Sequence, residues 1–277
     1  MTGAASPPTV HFLSDYGLVD EFVGVVHAVL HRAAPGVPVI DLTHGVPAFD
    51  VGAGAATLVR CAPSLGAGVV LAVVDPGVAT DRRAVAVRVG GPAGGGHPGW
   101  LVGPDNGLLV PLADRLGGPR AVHRLRTAGS TFDGRDVFAP AAAHLVTGGD
   151  PADLGPELAA GDLVRTASGP PGRVEGGRLV TSVAHVDGFG NVALAARPGA
   201  LADLGLGPGA TVAVAVGPSA PVPARWVTAF GDLAAGELGL LVDADGHLAL
   251  VLDRAPAGRR LAVDAAVRPV VRLGPAA

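Results

Sequence analysis

The stretch TVHFLSDYGLVDEFVGVVHAVLHRAAPGVPVIDL, residues 9–42, decides the fold. It opens on a β-branched and aromatic run (9–13), turns at a glycine, continues as an amphipathic segment (21–34) and closes on a second β-branched run (37–42). The alternation goes on through DVGAGAATLVRCA (50–62) and GVVLAVV (68–74). Strands alternating with amphipathic helices predict right-handed crossovers, and so an α/β N-terminal domain with a mainly parallel sheet. Further strands are expected at 84–89, 100–103 and 121–125, and a helix over 136–146 with Pro140 in its first turn.

The pattern then changes. LVRTASGPPGRVEGGRL (163–179) is rich in Gly and Pro and reads as a linker. Beyond it come short alternating runs parted by glycine turns: LVTSVAHVD (179–187), NVALAA (191–196), TVAVAVG (211–217), LGLLVD (238–243) and HLALVL (247–252). They predict a smaller all-β C-terminal domain. The expected boundaries are 1–165 and 166–277, with a cleft between the two.

Composition removes several chemistries. The 277 residues include 20 cations, all arginine, so no lysine is present for a Schiff base or a phosphate loop. With a net charge of -4 and no long basic cluster, a nucleic-acid partner is not expected. The one cysteine, Cys61, has no partner for an internal disulfide, which suits a reducing cytoplasm. No apolar run is long enough to span a membrane. Nine histidines show no HxxxH or HExxH spacing, His44 and His144 read as core or surface residues, and no metal site is expected. The GxG patterns at 51–58 and 90–99 lack dinucleotide-binding context and read as packing and loop.

Candidate site residues gather at strand ends, where open α/β sheets bind ligands. Ser14 and Asp15 follow the first strand, Thr43 and His44 the second, and Asp75 the third. In SDYGLVDEF (14–22), Asp20 can cap the following helix, whereas Asp15 has no helix to serve and suits a ribose diol, which offers two hydroxyl donors. In VVDPGVATDRRAVAV (73–87), the Pro-Gly turn either forms a hairpin-like return with a surface ion pair or holds an arginine fork against Asp75; spacing does not choose. STFDGRDVF (130–138) places Asp133, Arg135 and Asp136 in one turn, as helix caps or as a site for water or a polar substrate. In HVDGFGNVAL (185–194), Phe189 at a turn tip needs cover from a planar ligand or a neighbouring chain.

Together, FLSDYGLVDEF, DVGAGA, VVDPGVATDRRAVAV, GPDNGLL, TFDGRDVFAPAAAHL and DGFGN stand in the order found in the S-adenosyl-L-methionine (SAM) hydroxide adenosyltransferases, relatives of fluorinases and chlorinases, and the chain resembles that family from about residue 10 to about 250. The resemblance implies hydrolysis of SAM to adenosine and L-methionine without cofactor, in a homotrimer whose sites lie between subunits. It implies that Asp15 holds the ribose hydroxyls, that Asp20 and Asp187 take the methionine ammonium, that Asn191 and Phe230 address the adenine, and that Phe49 and Phe132 wall the pocket. Asp75 and Arg82 match the residues that place the attacking water or hydroxide.

Three positions depart from the family pattern. Asp133 stands where the hydrolases carry histidine, so the expected catalytic set is Asp75, Arg82 and Asp133, with Asp136 as a helix cap and Arg135 as a structural partner. VDADGHL (242–248), with Ala244 and Asp245, offers no donor for the methionine carboxylate. LDRAPAGRR (252–260) replaces the C-terminal adenine-contacting stretch. Two alternatives therefore stay open: a SAM- or adenosine-binding protein without turnover, and a halide adenosyltransferase.

Overall fold

The computed structural model describes residues 7–90, 97–127, 129–166, 172–263 and 267–276. The chain divides into two compact units, Met1–Ala167 and Ser168–Ala277. The expected linker is only partly described: 167–171 fall outside, while 173–179 belong to a hairpin of the second unit.

In the first unit, β1 (Thr9–Ser14), β2 (Val39–Thr43), β3 (Gly68–Val73), β4 (Ala84–Val89), β5 (Pro98–Pro104), β6 (Pro119–Arg124) and β7 (Glu157–Leu158) form one sheet in the order β2-β1-β3-β5-β4-β6-β7. The pairs β2-β1, β1-β3 and β3-β5 are parallel, and β4 is antiparallel to both β5 and β6. The sheet is thus mainly parallel, as the alternation of elements predicts. Strands β1 and β3 are buried almost throughout, the mark of a sheet covered on both faces. Alternate side chains sort between two cores: Val10, Phe12, Val69 and Leu71 pack with helices α1 (Phe22–Ala33) and α4 (Ala139–Val146), whereas Leu13, Val70 and Ala72 pack with α2 (Val51–Cys61) and α3 (Val110–Arg115).

Two local expectations are corrected. The chain from β3 to β4 is no hairpin, because β5 inserts between those strands. The helix expected over 136–146 begins earlier and irregularly, as a π turn (Gly134–Phe138) that runs into α4, with Pro140 in the first turn of α4. Glycine in the 51–58 segment does serve packing: a Cβ on Gly54 would come within 2.8 Å of Leu108 and 3.0 Å of Val74.

The second unit is all-β. β8 (Arg173–Glu175) and β9 (Arg178–Val186) open it, and β10 (Val192–Leu194), β11 (Thr211–Val216), β12 (Val222–Trp226), β13 (Leu238–Val242), β14 (Leu248–Leu252) and β15 (Val270–Pro275) follow. The order β10-β14-β13-β12-β11-β15-β9 closes on itself through β9–β10 pairing, with Val192 opposite Val186. The resulting seven-stranded barrel leaves those strands no free edge, and its core is aliphatic apart from Trp226. Among the described residues, no helix is long and apolar enough to cross a membrane.

Candidate active site

At the carboxyl ends of β1 and β3, the first unit opens a cleft of about 260 Å³ lined by Asp15, Phe49, Asp75, Phe132 and Asp133 among others. Its polar end is a buried three-residue cluster. Arg82 lies seven residues beyond Asp75, at the end of the turn, and grips it with both arms: Nε donates to Oδ1 at 2.9 Å and Nη2 donates to Oδ2. Nη2 also donates to Asp133 Oδ2 at 2.8 Å. The side chains of Arg82, Asp75 and Asp133 are only 8%, 6% and 5% exposed. This excludes the surface-ion-pair reading of the 73–87 segment. Phe138 lies beneath the guanidinium, whose Cζ is 5.4 Å from the ring centroid.

Two carboxylates facing one guanidinium leave an excess negative charge in a poorly solvated place. Burial raises Asp75 above the ordinary carboxylate range; Arg82 works against that shift and Asp133 adds to it. Two polar atoms of the cluster remain buried without a hydrogen-bond partner, Arg82 Nη1 and Asp133 Oδ1. They are a donor and an acceptor of the same ion pair, and they are the kind of group that protein interiors satisfy with water.

Asp15 Oδ2 accepts from the Phe49 backbone N–H at 2.9 Å, which anchors an exposed phenylalanine held at φ 65°. Phe132 packs edge-on against Tyr16 and Phe22, with centroids 5.7 Å and 5.2 Å away. Tyr16 carried no separate expectation, although it is the only tyrosine of an aromatic-poor chain. It is a wall of the cleft, and its hydroxyl titrates far above its usual range because of burial and then the charges of Asp15, Asp75 and Asp133. Gly134 allows this: a Cβ there would lie 2.1 Å from the Tyr16 hydroxyl.

Several expectations are corrected. Asp20 is exposed and makes no cap bond to α1, so the capping reading fails for it. Asp136 caps nothing; it accepts from Ser130 Oγ and from Arg135 Nη2 at 2.7 Å, and these bonds hold its carboxyl at about 2. Arg135 is its partner and also lies over Phe132, with Cζ 5.2 Å from the centroid. Asp133 precedes the π turn but makes no side-chain cap bond, so the capping reading fails for it too.

The second unit carries its own cleft, of about 340 Å³, lined by His185, Asp187, Asn191, Phe230, Ala244 and Asp245 among others. Asp187 is fixed by its turn: Oδ1 accepts from the N–H groups of Phe189 and Asn191, at 2.9 and 2.8 Å, and Oδ2 accepts from Asn191 Nδ2 at 2.8 Å. Phe189 is 82% exposed and outside the cleft wall, whereas Phe230 lines the wall while 44% exposed.

Residues 10–155 match the SAM hydroxide adenosyltransferase N-terminal domain, and residues 181–268 match the C-terminal domain of that family. The (R)-S-adenosyl-L-methionine hydrolase of Salinispora tropica is 43% identical over 266 residues, 94% of this chain and 95% of the relative. More distant is a fluorinase from an Actinoplanes species, 28% identical over 276 residues, 90% of this chain and 92% of its own. The crystal structure of an uncharacterized conserved protein from Thermotoga maritima superposes with a TM-score of 0.84 at 30% identity, covering 96% of this chain and 100% of that one.

Proposed function

We infer the activity from descent: the chain belongs to the SAM hydroxide adenosyltransferases, and it is an enzyme that hydrolyses S-adenosyl-L-methionine to adenosine and L-methionine. The roles of individual residues are our reading of the geometry. The observation that carries them is the buried Asp75–Arg82–Asp133 cluster, with one unpaired donor and one unpaired acceptor, in the cleft that also holds Asp15.

A water or hydroxide bridges Arg82 Nη1 and Asp133 Oδ1, in line with the ribose 5′ carbon. Asp75 fixes the guanidinium and, with Asp133, accepts the proton. Attack at the 5′ carbon breaks its bond to the sulfonium sulfur, which takes the electron pair and leaves as the neutral thioether of methionine, so the leaving group needs neither an acid nor a metal; the enzyme aligns the nucleophile and excludes other water. The negative charge of the cluster favours a cationic sulfonium and repels a halide, which sets hydrolysis ahead of halide transfer. Asp15 takes the ribose hydroxyls, and Phe49 and Phe132 flank the sugar. Asn191 and Phe230 address the adenine, and Asp20 and Asp187 take the methionine ammonium.

The working unit in this reading is a homotrimer in which the first-unit cleft of one copy is completed by the second-unit cleft of another. Its support is the 70%, 82% and 44% exposure of Phe49, Phe189 and Phe230, which calls for cover. Incubation with SAM, with and without chloride, followed by product analysis tests the reaction. Adenosine and methionine are expected in both. SAM binding without product would establish the binding-protein alternative, and 5′-chloro-5′-deoxyadenosine the halide one. Light scattering tests the assembly, and a fully active monomer would rule it out.

A further inference from the structure

Outside the linings of both clefts, His27 of α1, Asp41 of β2 and His44 just beyond β2 converge. In the β1–β2 register Phe12 stands beside Asp41, so both side chains face α1, which carries His27. His27 Nε2 lies 2.8 Å and His44 Nε2 lies 3.1 Å from one oxygen, Asp41 Oδ1, and all three donor atoms fall within 4.8 Å of one another. The Phe12 ring backs both imidazoles, at centroid distances of 4.6 Å to His44 and 6.1 Å to His27.

His44 is the informative member. Its side chain is 3% exposed, its Nδ1 is bonded to Ser14 Oγ at 2.7 Å, and its Nε2 is buried without a hydrogen-bond partner. This buried ring nitrogen stands 3.1 Å from Asp41 Oδ1 but is misaligned for a hydrogen bond to it, so it lacks the bond that buried polar atoms ordinarily make.

We propose that His27, Asp41 and His44 form a binding site for a divalent first-row transition metal, with Zn²⁺ as its occupant. Two imidazoles and a carboxylate suit zinc rather than magnesium or calcium, which take oxygen donors. Donors bound to tetrahedral zinc at about 2.0–2.1 Å stand roughly 3.3 Å apart, close to the two spacings found around Asp41 Oδ1. His27, the more exposed imidazole, has the freedom to close the remaining gap. With Ser14 Oγ accepting from Nδ1–H, His44 presents the Nε2 lone pair to the metal, the outer-shell arrangement common for histidine ligands. Three protein donors leave one position for water. The consequence is structural: Ser14 Oγ also accepts from the Tyr16 N–H, and the His44 carbonyl from the Gly17 N–H at 2.8 Å. Bound metal therefore ties the turn that carries Asp15 to α1.

The test uses untagged full-length protein stripped with chelator, titrated with Zn²⁺ by calorimetry and with Co²⁺ by visible absorption. Expected are saturable binding of one zinc per chain, the d–d bands of tetrahedral cobalt, and a melting temperature that rises with zinc. His44→Ala and His27→Ala should each weaken binding by more than about tenfold. His27→Ala, at the more exposed position, serves as the variant that keeps its fold. Absence of zinc binding, or affinity unchanged in His27→Ala, overturns the proposal and leaves an ordinary histidine–aspartate cluster.

Discussion

Arg82 and Asp133 are joined by one arm only: Nη2 donates to Oδ2 at 2.8 Å, while Nη1 and Oδ1, buried in the same pair, bond to nothing. A guanidinium and a carboxylate ordinarily close two parallel bonds when nothing intervenes. Arg82 instead gives its Nε and Nη2 to Asp75, and its Nη1 is left buried without a hydrogen-bond partner. A buried cluster of this kind costs desolvation and is weak evidence for stability, which points to a role in the reaction.

Asp133→Ala should lower turnover by roughly 10²-fold with little change in SAM affinity, because the contact to water matters mainly in the transition state. Asp133→His, which restores the residue expected of the family, should keep or raise activity, and Asp75→Ala should be worse than either. Melting temperature on the same preparations controls for folding: Arg82 keeps Asp75 as its partner in the alanine variant, so a loss of stability without a loss of turnover would refute the assignment.

The acid limb of turnover should lie above 3.8, the ordinary carboxylate value, because Asp75 is raised in the folded state. The folded chain binds this proton more readily than the unfolded one, so the contribution of Asp75 to stability falls as pH rises from 3.8 through its folded value. Asp136 has the opposite sign: the stability it adds is present above 3.8 and is lost as pH falls toward 2. Asp133→Asn removes the charge that helps raise Asp75 and should shift the acid limb of the pH–rate profile downward. An unmoved limb would show that the Asp133 charge does not act on Asp75.

Gly134→Ala should destabilise the protein and abolish most of its turnover, because the added methyl falls 2.1 Å from the Tyr16 hydroxyl. Tyr16→Phe deletes that oxygen, so Tyr16→Phe/Gly134→Ala should recover much of the lost melting temperature. Additivity of the two changes would contradict the contact.

Chelation should leave the initial rate of SAM hydrolysis unchanged at temperatures well below melting, since the departing thioether needs no Lewis acid. A chelator-dependent loss of turnover that zinc restores, with the melting temperature unchanged, would place a metal in the chemistry.

Much of this was legible in the order of residues. The β-branched runs of β1 and β3, the amphipathic spacing of α1 and α2, and the glycine turns after residue 179 are local properties, and each predicted its element. Asp15 and Asp75 were legible as residues of the cleft because they follow buried strands, a position that a one-dimensional pattern marks. Long-range partnership was not legible. Whether 73–87 was a hairpin depended on β5, which enters the sheet between β3 and β4 only after the chain has passed both. Asp133 and Asp136, three residues apart in one turn, looked alike as caps; packing buried the first against Arg82, 51 positions away in sequence, and left the second outside with Ser130 and Arg135. The juxtaposition of His27, Asp41 and His44 has no sequence spacing to mark it, because His27 comes from a helix and the other two from a neighbouring strand and its end, brought within reach by the β1–β2 register. Local propensity is set by each residue's own backbone and its near neighbours, whereas the charge and solvation of a buried group are set by whatever the fold packs against it.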